Sequence, residues 1–182
     1  SVHQYPALQA FPCALAHLYA ETGREREAQT ALDDLLARDL AQLHVDEEWL
    51  FGVSLLPDVC AFLADAPAAG RVYDLLRPYE ALNAVAAPGA AFGSVARGLG
   101  VLATTLGRYA EAERHFASAL AMERGMGAGP GRAHVERGLA AMLGERGETG
   151  DGERSRELAA SAAATYRALG MDAWAARTAG GS

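Results

Sequence analysis

The side chains that could carry chemistry are few and scattered. Histidines stand at 3, 17, 44, 115 and 134, and none is paired in the HxxxH or HExxH spacing that puts two metal ligands on one helix face. Cys13 and Cys60 lack CxxC spacing and read as two buried, reduced thiols. Gly125-Met126-Gly127-Ala128-Gly129 has the composition of a phosphate-binding loop. Such a loop follows a strand and opens a helix, whereas these glycines follow a helical stretch in a chain without Lys. They read as a helix stop and connector. Glu21, Glu25 and Glu27, like Glu111 and Glu113, alternate with Arg as a solvated helix face does. His115, beside Phe116, is expected at the exposed edge of its helix. No Ser-His-Asp or Cys-His spacing supplies a nucleophile. A non-catalytic chain is expected, with no cofactor and no metal.

The elements that would position these groups are helical. Of the 182 residues 51% are hydrophobic and only seven are Pro, and Ala, the best helix former, is abundant. The net charge of -7 opposes direct contact with nucleic acid, which needs a basic face. No apolar run reaches the ~18 residues of a membrane span, and with reduced thiols a cytoplasmic location is expected. The chain begins at Ser1 and closes on Gly180-Gly181-Ser182, and it reads as a piece of a longer protein.

Repetition organises the sequence. From Gly98 to Gly125, Leu99, Leu102 and Leu106 form one apolar face. After Gly107-Arg108 a second follows, from Tyr109, Ala112, Phe116, Ala119 and Leu120. Small Gly100 and Ala112 would let the two helices cross closely, with Phe116 filling the wedge. This Leu-Gly, Leu-Gly-Arg-Tyr, Ala, Phe, Ala-Leu order resembles the tetratricopeptide (TPR) helix-turn-helix repeat. The same pattern recurs at Leu15–Gly23 and Leu139–Gly147, with a weaker copy at Leu56–Ala64. Anchor leucines 15, 56, 99 and 139 are therefore 41, 43 and 40 residues apart. The fold expected is all-α, a TPR-like α-α superhelix of about four hairpins with no sheet. Its units would be 6–45, 46–91, 92–131 and 132–170, with 171–182 the start of a fifth cut short. Within them, Pro6 would open the first helix, and Glu25–Leu40 would be its partner. Pro57 should kink or break the next helix, and Asn83–Ala91 is the least helical stretch.

In TPR arrays the first helix of each hairpin lines a concave groove. The resemblance places Cys13, His17 and Glu21 there, then Phe51, Ser54, Asp58 and Phe62. Ser94, Arg97, Val101, Thr104 and Thr105 follow, then His134, Arg137 and Glu145. The strongest binding candidates are His17, Phe51, Asp58, Phe62, Arg97, Thr104 and Arg137, with Arg97 and Arg137 as charged contacts one repeat apart.

Three further motifs extend the resemblance: Asp46-Glu47-Glu48-Trp49-Leu50, Leu75-Leu76-Arg77-Pro78-Tyr79 and the block Phe92–Leu120. With the long period, they are similar to the superhelical C-terminal region of bacterial signal-transduction ATPases joined to LuxR-type DNA-binding or to adenylate/guanylate cyclase domains. That resemblance implies a regulatory sensor that binds a protein, peptide or small effector. A free-standing TPR adaptor docking a peptide is the other reading. Tyr5, Leu8 and Phe11 at one end, and Met171 and Trp174 at the other, are expected to be exposed apolar ends through which two copies could pair.

Overall fold

A computed structural model describes residues 7–38, 47–86, 90–126 and 129–180. Among them nine α-helices follow one another: α1 (Ala7–Glu21), α2 (Glu25–Ala37), α3 (Glu47–Leu63), α4 (Ala66–Leu76), α5 (Val95–Thr105), α6 (Tyr109–Met126), α7 (Gly129–Arg146), α8 (Asp151–Ala168) and α9 (Asp172–Gly180). The turns have a common chemistry. At Gly107 (φ +69°) the chain enters the left-handed region, and Arg108 N–H bonds the Ala103 carbonyl at 2.8 Å, closing α5. Ala64 makes the same turn between α3 and α4 at φ 51°, with Asp65 N–H on the Cys60 carbonyl at 3.0 Å. This is the weak copy of the sequence pattern, and a Cβ sits where glycine would be unstrained.

Each helix packs on the next: α1 on α2, α3 on α4, α5 on α6, α7 on α8 and α8 on α9. The odd-numbered helices also lie side by side, α1 on α3, α3 on α5 and α5 on α7. One core runs from α1 to α7, with Leu32, Leu56, Leu76, Leu99, Leu102, Phe116, Met142 and Leu143 all fully buried, and a smaller one of Ala133, Ala162, Tyr166 and Ala175 joins α7, α8 and α9. Phe116 is the keystone of the larger core. A Cβ placed on either Gly100 of α5 or Gly138 of α7 would stand 2.8 Å from the Phe116 ring. The ring therefore occupies space that two glycines on neighbouring helices leave open. At the far side Arg146 binds Asp151 through two 2.7 Å hydrogen bonds and Glu113 through one of 2.9 Å, tying α6, α7 and α8 together.

The fold is all-α but not free of sheet, which corrects one expectation. Strands β1 (Asn83–Ala86) and β2 (Ala90–Ser94) pair antiparallel, Asn83 opposite Ser94 and Ala86 opposite Ala90, with a bulge at Ala84/Val85. Gly93, at φ +111°, supplies the conformation that bulge needs. The ribbon falls on the stretch whose sequence is least helical, and Ser94 then caps α5 by accepting from Arg97 N–H at 3.3 Å.

Other boundaries also shift. Helix α3 runs through Pro57 without the expected break. The pyrrolidine ring packs towards Gly98, whose missing side chain leaves it room. Helix α2 ends at Ala37 rather than Leu40; residues 39–46, like Tyr5, Pro6 and the side chain of Leu8, lie outside those described. Gly129-Pro130-Gly131 is not connector but the first turn of α7, where a proline's lost N–H costs no helical bond. Met171 and Trp174 are not an exposed end. They are half-buried against Ala133, Ala162, Tyr166 and Ala175. At the other end Phe11 and Leu18 on α1 remain 66% and 55% exposed.

Candidate functional site

A groove of about 600 Å³ opens along the odd-numbered helices. Helix α1 contributes Ala20 and Glu21, α3 Asp58, Ala61 and Phe62, and α5 Val101, Thr104 and Thr105. Helix α7 contributes Arg137, Gly138, Ala141 and Glu145, and α9 Arg177. On α3, α5 and α7 these residues recur three and four apart, the spacing that puts side chains on one face. The sequence pattern that buries the opposite faces therefore also aims this set into the groove.

Of the seven strongest sequence candidates, Asp58, Phe62, Thr104 and Arg137 line this space. Phe62, an aromatic ring on the lining, is 42% exposed. Arg97 is buried beneath the groove instead of facing it, and grips Asp58 through Nη1–Oδ1 at 3.1 Å and Nη2–Oδ2 at 2.9 Å. Burial would raise the Asp58 carboxyl, but the Arg97 charge and hydrogen bonds outweigh it and, with His17 and Arg137, hold it at about 2. His17 is half-buried near that carboxylate. Phe51 packs against the main core and does not line the groove.

The C-terminal helices supply what sequence reasoning missed. Trp174 of α9 carries two guanidinium groups on its ring, Arg137 at 4.8 Å and Arg177 at 5.2 Å from the centroid. Arg177 also reaches Glu21 of α1, bonding its carboxylate and, at 3.2 Å, its backbone carbonyl. The last helix is thus tied to the first across 156 residues of sequence. The i, i+3 spacing of Trp174 and Arg177 was the one available signal, and nothing in it says which helix lies opposite.

Below Arg137 the interior is polar. Tyr166 Oη and His134 Nδ1 are 2.8 Å apart, and the His134 ring meets Trp174 edge-on at 4.8 Å. Burial first, then the charges of Arg97 and Arg137, push the His134 imidazolium down to about 4, with Asp58 opposing. Glu123 is 2% exposed, its carboxyl raised by burial against the pull of Arg97, and its Oε1 has no hydrogen-bond partner. A Cβ at Gly131 would meet that carboxyl, so any larger residue there requires Glu123 to move.

A second polar cluster lies on the far side of α4. His115 bonds Tyr73 Oη through Nε2 at 2.9 Å and Glu80 through Nδ1 at 2.7 Å. His115 is only 3% exposed, which corrects its expected place on a solvent edge. Tyr73 and Glu80 claim both ring nitrogens, so they fix the imidazole and draw α6 towards α4. Cys13 and Cys60 are both buried, and burial pushes each thiol up to about 12, which removes them as nucleophiles near neutral pH.

The groove offers guanidinium, carboxylate, hydroxyl and apolar surface. Those are the means of non-covalent recognition by ion pairing, hydrogen bonding and burial. Among the described residues no three His, Cys, Asp or Glu side chains are grouped to hold a metal ion, and no helix is long and apolar enough to cross a membrane. Comparison of the chain with protein-family models, with curated proteins and with solved structures finds no match.

Proposed function

We propose that this chain is a non-catalytic regulatory module, a TPR-like α-α superhelix that binds a protein segment or small effector in its concave groove. The observation carrying this reading is the groove itself. The consecutive inner helices α1, α3, α5 and α7 each turn one face into a shared cavity of about 600 Å³, within the range that takes small-molecule or short-peptide ligands. The recurrence of leucine anchors every 40 to 43 residues, matched to hairpins α1–α2, α3–α4, α5–α6 and α7–α8, supports the repeat architecture. In this proposal the module works in the cytoplasm as the sensory region of a bacterial signalling ATPase or LuxR-type regulator. Occupancy of the groove would change how the hairpins pack and so release the attached output domain.

The experiment is a thermal-shift screen of metabolites and short peptides against the chain and against Ala141→Trp, which fills the groove from α7. At least one compound should raise the melting temperature of the parent by more than about 2 °C, the shift that roughly 0.5–1 kcal/mol of binding gives a chain of this size, and leave the filled variant unmoved. Compounds that stabilise both proteins equally, or none that stabilises the parent, refute the reading.

A further inference from the structure

We infer that the groove selects small amphipathic carboxylates, a free acid on an aromatic or aliphatic body, and that Arg137 is the residue that recognises the acid. The inference rests on the groove being a binding site and names its ligand class.

Arg137 is a cation on the groove lining. Its guanidinium is laid over the Trp174 ring at 4.8 Å and opens into the groove. Its Nε is buried with no hydrogen-bond acceptor. The other groove-lining charges are largely engaged: Asp58 accepts both Arg97 bonds, and Arg177 is bound to Glu21. Arg137 shares a hydrogen bond with the Tyr166 hydroxyl and its field is felt at Asp58, but among the described residues it forms no ion pair with a carboxylate. A fork of N–H donors held over an indole is matched to a planar carboxylate, which accepts two parallel bonds.

The remaining surface sets the rest of the ligand. Phe62, Val101, Ala61 and Ala141 are apolar and would cover a hydrocarbon or aromatic body. Thr104 and Thr105 donate their hydroxyl protons to the Gly100 and Val101 carbonyls, at 2.8 and 3.1 Å, so each presents acceptor lone pairs and attracts no second anion. Glu145 and Asp58, also on the lining, repel a dianion. A monoanionic carboxylate therefore fits where a phosphate would carry one charge too many. The Arg177–Glu21 bridge from α9 to α1 rims the space, which favours a compact molecule over a chain running through it.

The test uses four probes on the intact chain, followed by saturation-transfer NMR: 3-phenylpropionate, 3-phenylpropan-1-ol, 3-phenylpropylamine and phenyl phosphate. A ligand of this size binds at about 1–10 mM. The acid should bind at least about tenfold more tightly than the alcohol or the amine, because its bond to guanidinium is charge-assisted. Arg137→Gln should bring the acid to within about twofold of the alcohol and leave the alcohol unchanged. Should that variant not fold, the wild-type salt response decides. Raising NaCl should weaken the acid severalfold and not the alcohol, and an acid insensitive to salt overturns the inference. Equal affinity for acid and alcohol, both lost in Phe62→Ala, overturns the carboxylate class while the groove remains a binding site. Phenyl phosphate binding more tightly than the acid, or no transfer to the acid at about 10 mM, overturns it as well.

Discussion

Lowering the pH should unfasten the molecule at His134. The imidazole sits among Tyr166 of α8, Trp174 of α9, Arg97 of α5 and Arg137 on its own helix, with Asp58 of α3 the one opposing charge. In the folded chain it protonates at about 4, against 6.5 when unfolded. Between those values the unfolded chain holds the extra proton, so stability falls as the pH drops from 6.5 towards 4 and is intact above 6.5. At 1.36 kcal/mol per unit the loss is about 2 kcal/mol by pH 5 and about 3 kcal/mol by pH 4. With an m-value of roughly 2 kcal/mol per M urea, the His134 contribution should lower the midpoint by about 1 M between pH 7 and 5. His134→Gln keeps an acceptor for the Tyr166 hydroxyl and removes the titration. Subtracting its pH profile from that of the parent isolates His134, because Glu123 and Glu145, whose carboxyls are raised by burial, contribute to both. Urea melts at half-unit pH steps, with the His134 ring proton followed by NMR, decide the matter. A ring that titrates at 6 or above, or parallel profiles for the two proteins, refutes the reasoning.

Other consequences are as concrete. Phe116→Ala should cost ~3–5 kcal/mol, and Gly100→Ala ~1–3 kcal/mol because its methyl meets the ring. Phe116→Leu should offset part of the Gly100→Ala loss, and additive effects in a double-mutant cycle from urea melts would show that the two do not touch. Asp58→Ala removes both of the Asp58 bonds to the buried Arg97 charge and should cost ~3–5 kcal/mol, while Asp58→Leu with Arg97→Met should recover most of it. The Asp58 carboxylate contribution should be full above about pH 4 and be lost only as the pH falls through about 2. Ala64→Gly removes left-handed strain at φ 51° and should stabilise the chain by ~0.5–1 kcal/mol, read as a rise in melting temperature.

The sequence by itself determined the helical periodicity, the turns at Gly23, Gly107, Gly147 and Gly170, and the buried set around Leu99, Leu102, Ala112 and Phe116. These follow from local chemistry, because a 3.6-residue period and a left-handed glycine act within one turn of chain. Helical offsets likewise brought Asp58, Phe62, Thr104 and Arg137 to one wall. What the tertiary structure decided are the meetings between helices. Arg97 and Phe51 share the offsets of groove residues, yet Arg97 goes beneath the floor because Asp58 of a neighbouring helix is there to take it, and Phe51 turns into the core. His115 is buried because Tyr73 and Glu80 come from α4 and the turn after it to claim both its nitrogens. Gly131, in the first turn of α7, faces the Glu123 carboxyl of α6, which stands where a Cβ would be. Arg177 joins the groove, and Trp174 comes under Arg137, only because α9 packs back on α8 and reaches α1. A pattern along one helix fixes which face is apolar. Which charge, ring or carboxyl stands opposite depends on a partner tens to more than a hundred residues away, and no local spacing encodes it.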